Sequence, residues 1–162
     1  MIPLYLLFMA SCSAGQNNQQ QSNEADDFHF GDNLENAIIG TWKNNAMEVE
    51  VNTFNNTDTS FQVSVNESSW KIIMAINPII TEIKEDGGFH TEYRDTLNQV
   101  FNTNRGIWYM DGDSLFLEDQ KGYKFSYKIL IKDDEMELQS VVDYDDDGAK
   151  DDRYFGKYLR VK

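Results

Sequence analysis

An acidic stretch near the C-terminus carries the residues with the clearest potential for chemistry. Six aspartates fall within the ten residues 143–152 and follow the Asp-x-Asp-x-Asp-Gly spacing of a calcium loop. Alternate carboxylates let the chain curl around one hard cation, and glycine at the sixth place, Gly148, permits the sharp turn. The carbonyl of Ala149 would complete the set. The predicted carboxylate ligands are Asp143, Asp145, Asp147 and Asp151.

A structural alternative accounts for the same residues. The twelfth place, where a calcium loop carries a bidentate glutamate, is Tyr154. Aspartate and glycine also favour turns for local reasons. The stretch therefore predicts either weak calcium binding, with the millimolar affinity of extracellular modules, or a solvated hairpin tip.

Other groups that could do chemistry are sparse. The only imidazoles are His29 and His90, and His90 is predicted to face solvent on an alternating strand. No nucleophile elbow, phosphate-binding glycine loop or His/Cys metal set occurs in the sequence. Glu82, Glu92 and Asp95 could supply the carboxylate pair of a hydrolase, which stays an alternative. The chain is predicted not to be an enzyme and to need no cofactor apart from weakly bound calcium.

The single cysteine, Cys12, lies where an apolar run ends and a polar tract begins. A short apolar core followed by small residues is typical of a secretory signal. The segment 9–12, Met-Ala-Ser-Cys, resembles a bacterial lipobox, which implies cleavage before Cys12 and lipidation of its thiol. Several alkyl chains suffice for stable anchoring. The protein is therefore expected to be exported and held at the outer membrane, on its periplasmic face or at the cell surface.

Three segments follow from composition. Residues 1–11 are the predicted signal peptide, and residues 12–35 form a lipidated, flexible tether rich in Gln, Asn, Ser and Asp, too polar to offset its chain entropy by burial. Residues 36–162 have the length of one domain. With Cys12 acylated, this domain contains no thiol and must be held by an ordinary apolar core.

The candidate residues must be positioned by strands, because apolar residues recur with a period of two through most of the domain. The clearest case is residues 123–131, where Tyr, Phe, Tyr, Ile and Ile alternate with Lys and Ser. The pattern is that of half-buried strands separated by tight turns. It predicts an all-β, antiparallel, up-and-down meander of about eight strands. Helical turns are predicted only at 33–39 and 96–101. The other predicted strands are 47–51, 61–65, 89–93, 115–117, 136–138 and 154–161.

Two short motifs resemble the lipocalin-like (calycin-type) lipoproteins of Bacteroidetes-type bacteria. The first is Gly40-Thr41-Trp42 at the start of the first strand, and the second runs from Gly106 to Leu117 as Gly-Ile-Trp followed by Gly-Asp-Ser-Leu-Phe-Leu. The resemblance implies a barrel over about residues 38–162. It also implies that Arg160 of the last strand covers Trp42 at the barrel base, through a cation–π stack of ~0.5–2 kcal/mol.

Charge and aromatic content bear on partners. The net charge of −14 argues against nucleic acid and against adhesion to anionic lipid, so the acyl chain at Cys12 is the expected membrane contact. An eight-stranded barrel is near the size at which side chains either fill the interior or leave room for one small ligand. The large aromatic residues expected to fill or line it are Phe61, Trp70, Phe89, Tyr93, Trp108, Tyr109, Phe125 and Tyr127.

These observations predict a monomeric, non-enzymatic cell-envelope lipoprotein that binds a small apolar or amphipathic ligand at the barrel mouth. Because fold analogy carries much of this prediction, two alternatives remain. One is an envelope protein-interaction or inhibitor module with a filled barrel. The other is the carboxylate-dependent hydrolase at the barrel mouth.

Overall fold

The structure, a computed structural model, describes residues 30–162, with side chains from Leu34 onward. Helix α1 spans Phe30–Ile38 and α2 spans Trp70–Met74, with a single 3-10 turn at Phe54–Asn56. The predicted signal peptide and Cys12 lie outside the described residues. The nine strands are β1 Gly40–Val51, β2 Phe61–Val65, β3 Ile80–Ile83, β4 Gly88–Arg94, β5 Val100–Asp111, β6 Ser114–Asp119, β7 Lys124–Lys132, β8 Glu135–Val142 and β9 Asp152–Arg160.

Eight of these strands form a closed antiparallel barrel in meander order, as the sequence predicted. Strands β3 to β9 pair in succession, β3 pairs with the first half of β1, and β9 pairs with β1 to close the ring. Strand β2 pairs only with the second half of β1. Closure leaves no free edge within the eight-stranded ring, which removes a common cause of aggregation.

The barrel has two distinct ends. At the base lie α1, the start of β1 and the end of β9. At the mouth lie α2, the β4–β5 turn, and the long β8–β9 loop at 143–151. We use these two names below.

Alternation of side chains confirms the predicted strand pattern. On β7, Tyr127, Ile129 and Ile131 pack into the core while Lys128 and Leu130 face outward. On β9, Tyr154 is buried, whereas its neighbour Arg153 is exposed. The core is thus formed inside the barrel by one face of every strand.

A β-bulge in β1 changes which residues face the core. The pairing with β9 shifts between Asn44 and Ala46, so Asn45 is the extra residue. Before the bulge the buried residues have even numbers, Trp42 and Asn44; after it they have odd numbers, beginning with Met47. The bulge therefore turns both halves of a 12-residue strand toward one core, as such irregularities commonly do.

The helical predictions were partly right. The turn expected at 33–39 lies in α1, which begins earlier and so includes residues 30–35 of the predicted tether. The turn expected at 96–101 is wrong, since Asp95 accepts hydrogen bonds from the backbone N–H groups of Leu97 and Gln99 and closes a β-turn instead. Helix α2 was not predicted, because five residues are too few for helical periodicity to be read from sequence. Within residues 30–162, no helix has the length and apolar character needed to cross a membrane.

Candidate functional site

The base of the barrel is closed by α1 and by the predicted Trp42–Arg160 pair. Leu34 and Ile38, one turn apart on α1, are buried in the core beside Trp42, which is fully buried. The indole Nε1 of Trp42 donates a hydrogen bond to the carbonyl of Ile38 at 2.7 Å. The helix therefore seals this end of the barrel and leaves no route to the interior through Trp42.

Arg160 stabilises the base of the barrel by stacking on the indole ring of Trp42 and by hydrogen bonding to the end of α1. Its guanidinium carbon lies 4.2 Å from the centre of the Trp42 ring, and its nitrogens donate hydrogen bonds to the carbonyls of Ile39 at 2.7 Å and Ala37 at 2.5 Å. These carbonyls follow the end of α1 or lie within its last turn, where a cation is favourable. The geometry agrees with the role that the family resemblance implied for Arg160.

Gly40 has a steric reason to be glycine. Its φ of 142° lies outside the range that other residues readily adopt, and a β-carbon there would collide with the Arg160 guanidinium. Glycine at this position therefore lets Arg160 lie flat over Trp42. The Gly-x-Trp motif and the distant Arg160 form one structural unit.

The interior toward the mouth holds a cavity of about 140 Å³. Its walls are mainly apolar and come from most strands of the barrel, with α2 contributing Trp70. Lys124 and Lys150, at the mouth, are exposed and also line the cavity, so it reaches the surface there. Other lining residues include Met47, Phe89, Leu115, Leu117, Phe125, Met136 and Leu138.

Hydroxyl groups form the polar part of this cavity. Tyr154 and Tyr158 share a hydrogen bond of 2.9 Å, and Thr81 shares one of 3.0 Å with Thr91. Burial raises the pKa of both tyrosines above the ordinary value. These tyrosines are therefore neutral hydroxyls at physiological pH and can donate or accept a hydrogen bond.

Two further tyrosines on the cavity wall are held neutral in the same way. Burial raises the pKa of Tyr93 and of Tyr127, and the nearby Tyr158 hydroxyl raises both further. Loss of the hydroxyl proton from any of these four tyrosines would place a negative charge in the apolar interior of the barrel. The cavity thus combines apolar walls with neutral polar groups.

The predicted aromatic lining is correct in large part. Phe89, Tyr93, Phe125 and Tyr127 line the cavity. Tyr109 was placed wrongly, since it lies on the outer face of β5, is 47% exposed and stacks on Phe116. Its neighbours Trp108 and Met110 take the inner face instead, because β5 alternates from Gly106 onward.

The acidic loop at 143–151 packs against the loop that follows β1. Asp145 accepts a hydrogen bond from the backbone N–H of Asn55 at 2.6 Å, and Asp147 accepts one from Asn56 at 2.7 Å. Asp151 accepts a hydrogen bond from the hydroxyl of Thr53 at 3.0 Å. Three of the predicted ligands thus join two loops at the mouth.

The fourth predicted ligand, Asp143, folds the acidic loop on itself. Its carboxylate accepts hydrogen bonds from the backbone N–H groups of Asp147 and Gly148, each at 3.0 Å. The carboxylate oxygens of Asp143, Asp145 and Asp152 lie within 4.8 Å of one another. The structure therefore groups Asp143 and Asp145 with Asp152, whereas the predicted ligands Asp147 and Asp151 are not part of this group.

Asp152 was not among the predicted ligands, although it is the most buried acidic residue of the described chain. It is fully buried and accepts hydrogen bonds from the backbone N–H groups of Asn52 at 3.1 Å and Tyr144 at 2.7 Å. Burial raises its pKa, the two hydrogen bonds oppose that rise, and Asp145 and Asp151 add to it. Sequence spacing points to alternate positions in the loop and gives no signal for Asp152, which begins β9.

Calcium binding stays a prediction from the sequence, and a thermal melt checks it. If calcium binds, millimolar calcium should raise the melting temperature by a few degrees, because about ten times Kd contributes about 1.4 kcal/mol. Magnesium should do less, since it resists dehydration. In the matched control Asp143→Asn the shift should be lost. An unchanged melting temperature in millimolar calcium would contradict the prediction.

The other sequence candidates lie away from the cavity. Glu82 pairs with Lys84 at 3.6 Å and Glu92 with Arg94 at 2.6 Å, on the outer face of the barrel. His90 is half-buried between them, not fully exposed as the alternation suggested. Within residues 30–162, no carboxylate or imidazole lines the cavity.

Fold and site together define a class of protein: an eight-stranded antiparallel β-barrel, closed at one end and hollow near the other, consistent with a lipocalin-like fold. Searches for similar proteins add no family to this class. No protein-family model and no curated protein matches the chain.

Proposed function

We propose that this chain is a lipocalin-like lipoprotein of the bacterial cell envelope that binds a small amphipathic ligand inside its barrel and catalyses no reaction. One observation carries the proposal: the cavity of about 140 Å³ that reaches the surface at the mouth while α1, Trp42 and Arg160 close the base. Ligand sites are typically concave and mostly apolar, with a few placed polar groups, and this cavity has that composition.

The lining supports binding over catalysis. In the described part of the chain, it contains no carboxylate or imidazole that could act as a general acid or base. The polar groups are hydroxyls, amides and two exposed lysines. Such groups orient a ligand by hydrogen bonds, which is what a binding protein requires.

The envelope location rests on the sequence of residues 9–12 and on the charge. A lipid at Cys12 would hold the protein at a membrane, and a net charge of −14 keeps the barrel itself from adhering to anionic lipid headgroups. Because α1 leads into the base, the mouth lies at the end of the barrel opposite the point where the tether joins. A ligand would therefore reach the mouth from the side away from the anchor.

Mass spectrometry of the protein purified from its own envelope tests both parts. Under denaturing conditions, a mass increase of several acyl chains that disappears in Cys12→Ser is expected from lipidation. Under native conditions, an additional non-covalent mass of a small molecule is expected from an occupied barrel. A polypeptide without the acyl increment contradicts the anchor, and a bare native mass contradicts the ligand.

A protein-interaction module is the second candidate, and exposed apolar side chains at the mouth favour it. Ile72 on α2 is 84% exposed, and Leu97 in the β4–β5 turn is 78% exposed. A bridge between Ile76 and Asp95 ties these two segments together. Clustered exposed apolar residues often mark a contact surface. Replacing Ile72 and Leu97 by aspartate should abolish a protein partner's binding but leave the barrel cavity and any small ligand unaffected.

A further inference from the structure

Two buried hydrogen-bond donors on the cavity wall make no hydrogen bond of ordinary geometry within residues 30–162. Trp70 is 1% exposed and Asn44 is 3% exposed, and both line the cavity. The indole Nε1 of Trp70 makes no hydrogen bond to any part of residues 30–162, and the amide Nδ2 of Asn44 makes none of ordinary geometry there, although it lies beside the hydroxyls of Tyr154 and Tyr158. A buried donor without a partner is disfavoured by about 1–3 kcal/mol, so the open donor of Trp70 requires an explanation.

Among the three tryptophans, only Trp70 has an indole N–H without a hydrogen-bond acceptor in the described residues. The indole Nε1 of Trp42 donates to the carbonyl of Ile38 at 2.7 Å, and that of Trp108 donates to the carbonyl of Lys84 at 2.8 Å. Trp70 is the first residue of α2 and is buried on the cavity wall, where its Nε1 reaches no backbone carbonyl of residues 30–162 that could accept its proton. An indole can only donate, so the missing partner must be an acceptor.

Asn44 reaches the cavity because of the β1 bulge. It faces the same interior as Trp42, and its side chain lies within hydrogen-bonding reach of the Tyr154 and Tyr158 hydroxyls, which partly offsets the rise in their pKa values that burial causes. One hydrogen bond between those two hydroxyls uses one of their two protons, so the pair can donate a second. The two hydroxyl oxygens also keep acceptor sites, so the amide of Asn44 has possible acceptors beside it, whereas the indole of Trp70 has none in the described part of the chain.

Charge decides what kind of acceptor fits. Lys124 and Lys150 are the only charged residues on the lining within residues 30–162, and both are exposed at the mouth. None of the lysines and arginines whose side chains the structure describes is buried, so none lies beside Trp70 or Asn44 in the interior to balance a carboxylate, and burying an unpaired anion is strongly unfavourable. A neutral oxygen of the carbonyl type meets the need of the Trp70 donor without adding charge.

Volume limits the size of the molecule. The cavity of about 140 Å³ is close to the volume of an engineered apolar cavity of ~150 Å³, in another protein, that holds benzene. It admits a molecule of roughly six to nine non-hydrogen atoms on that scale. A long acyl chain would not fit without displacing cavity residues.

We propose that the cavity recognises a small, neutral, carbonyl-bearing compound whose oxygen accepts a hydrogen bond from Trp70 Nε1, with its apolar body against the walls near Phe89 and Leu115. This proposal rests on the proposed function and names the chemical class of its ligand. It also predicts that the same skeleton without the oxygen binds less well.

Three probes of matched size test the proposal on the full chain. Acetophenone carries the neutral carbonyl, cumene has the same branching and the same number of non-hydrogen atoms with a methyl group in place of the oxygen, and benzoate carries a charge. Binding is followed through the three indole N–H signals of a 15N-labelled sample, assigned by Trp→Phe variants. Acetophenone should move the Trp70 signal while those of Trp42 and Trp108 stay, and it should bind about tenfold more tightly than cumene, as one hydrogen bond implies.

The variant Trp70→Phe separates the contribution of the indole hydrogen bond from that of the aromatic ring at this position. Trp70→Phe removes the N–H and keeps an aromatic ring, so acetophenone affinity should fall about tenfold while cumene affinity changes little. The matched control Trp108→Phe removes an indole that already has a protein acceptor, and the affinity for both probes should be unchanged. If Trp70→Phe does not fold, the indole signals of the unaltered protein still decide.

The possible outcomes distinguish failure of the proposed ligand class from failure of the proposed binding function. Equal binding of acetophenone and cumene would overturn the carbonyl class and leave a small-ligand barrel. Tighter binding of benzoate would overturn the neutral character of the ligand. If none of the three binds and no indole signal moves, water satisfies the Trp70 donor and the carbonyl class is overturned, while a bare native mass of the envelope-purified protein is the separate result that would overturn the binding function.

Discussion

Replacing Trp42 by alanine is expected to lower the free energy of unfolding by about 3–5 kcal/mol, the usual cost of deleting a buried tryptophan side chain. The loss has more than one source. The fully buried ring packs against Ile38, its Nε1 donates to the carbonyl of Ile38, and its outer face carries the Arg160 guanidinium. Urea unfolding followed by circular dichroism measures the change.

A matched surface substitution sets the scale for this result. Leu130 lies on the outer face of β7 and is 56% exposed, so Leu130→Ala should change the free energy by no more than about 0.5 kcal/mol. Arg160→Ala should fall between the two, because it removes the cation–π stack and two hydrogen bonds but no core volume. A loss below about 1 kcal/mol for Trp42→Ala would contradict the role assigned to the base.

Alkaline pH should unfold this protein steeply once tyrosine ionises in the unfolded chain. The pKa values of Tyr93, Tyr127, Tyr154 and Tyr158 are raised in the folded state, chiefly by burial. In the unfolded chain each ionises near pH 10. The folded state therefore holds more protons above that pH, and stability that is complete below pH 10 is lost as the pH rises from there toward the folded pKa values.

The slope of the free energy of unfolding against pH depends on how many tyrosines keep their proton in the folded state. Each tyrosine that stays protonated in the fold lowers the free energy of unfolding by about 1.4 kcal/mol per pH unit, so four give at most about 5 kcal/mol per unit. A single domain is typically stable by about 5–15 kcal/mol, so unfolding is expected within a few pH units above 10. Urea melts between pH 8 and about pH 11.5, with tyrosinate absorbance followed in parallel, measure the slope.

Two phenylalanine variants make this test specific. Tyr127→Phe removes one buried hydroxyl from the cavity wall and should reduce the slope by about 1.4 kcal/mol per pH unit. Tyr109→Phe alters an exposed ring on the outer face and should leave the slope as it is. Tyrosinate absorbance that rises well before the secondary structure is lost would show that solvent reaches the buried hydroxyls in the folded state.

Much of the fold could be read from the sequence because strand formation has a local signal. Alternating residues such as Phe125, Tyr127 and Ile129 specify a face within a few residues, and the turn residues between strands specify reversals. The Gly-x-Trp motif placed Gly40, Trp42 and Arg160 together through the family resemblance, and the structure agrees. The helical prediction at 96–101 was wrong because one side chain, Asp95, determines that turn through hydrogen bonds that no periodicity reveals.

The candidate site was less accessible from sequence. Asn44 and Met47 do not share a period, and only the bulge at Asn45 turns both inward. Trp70 was expected to fill or line the barrel, but no element was predicted at residue 70, and the structure places it on the short helix α2. For the acidic loop, spacing indicated four aspartates, whereas the fold adds Asp152 from the start of β9. The bulge is defined by pairing with the distant strand β9, and the grouping of Asp152 with Asp143 and Asp145 depends on how the loop between β8 and β9 folds.

By itself, the sequence determined that the domain is an antiparallel meander with turns at acidic and glycine-rich positions, and it indicated a lipid anchor at Cys12. Those properties depend on residues close together along the chain, through strand alternation, turn preference and the segment around one thiol. Only the tertiary structure decided that the barrel holds a cavity and that the indole N–H of Trp70 on its wall lacks an acceptor within residues 30–162. The reason is physical: an enclosed volume and the partners of a buried polar atom depend on side chains that meet from many strands at once.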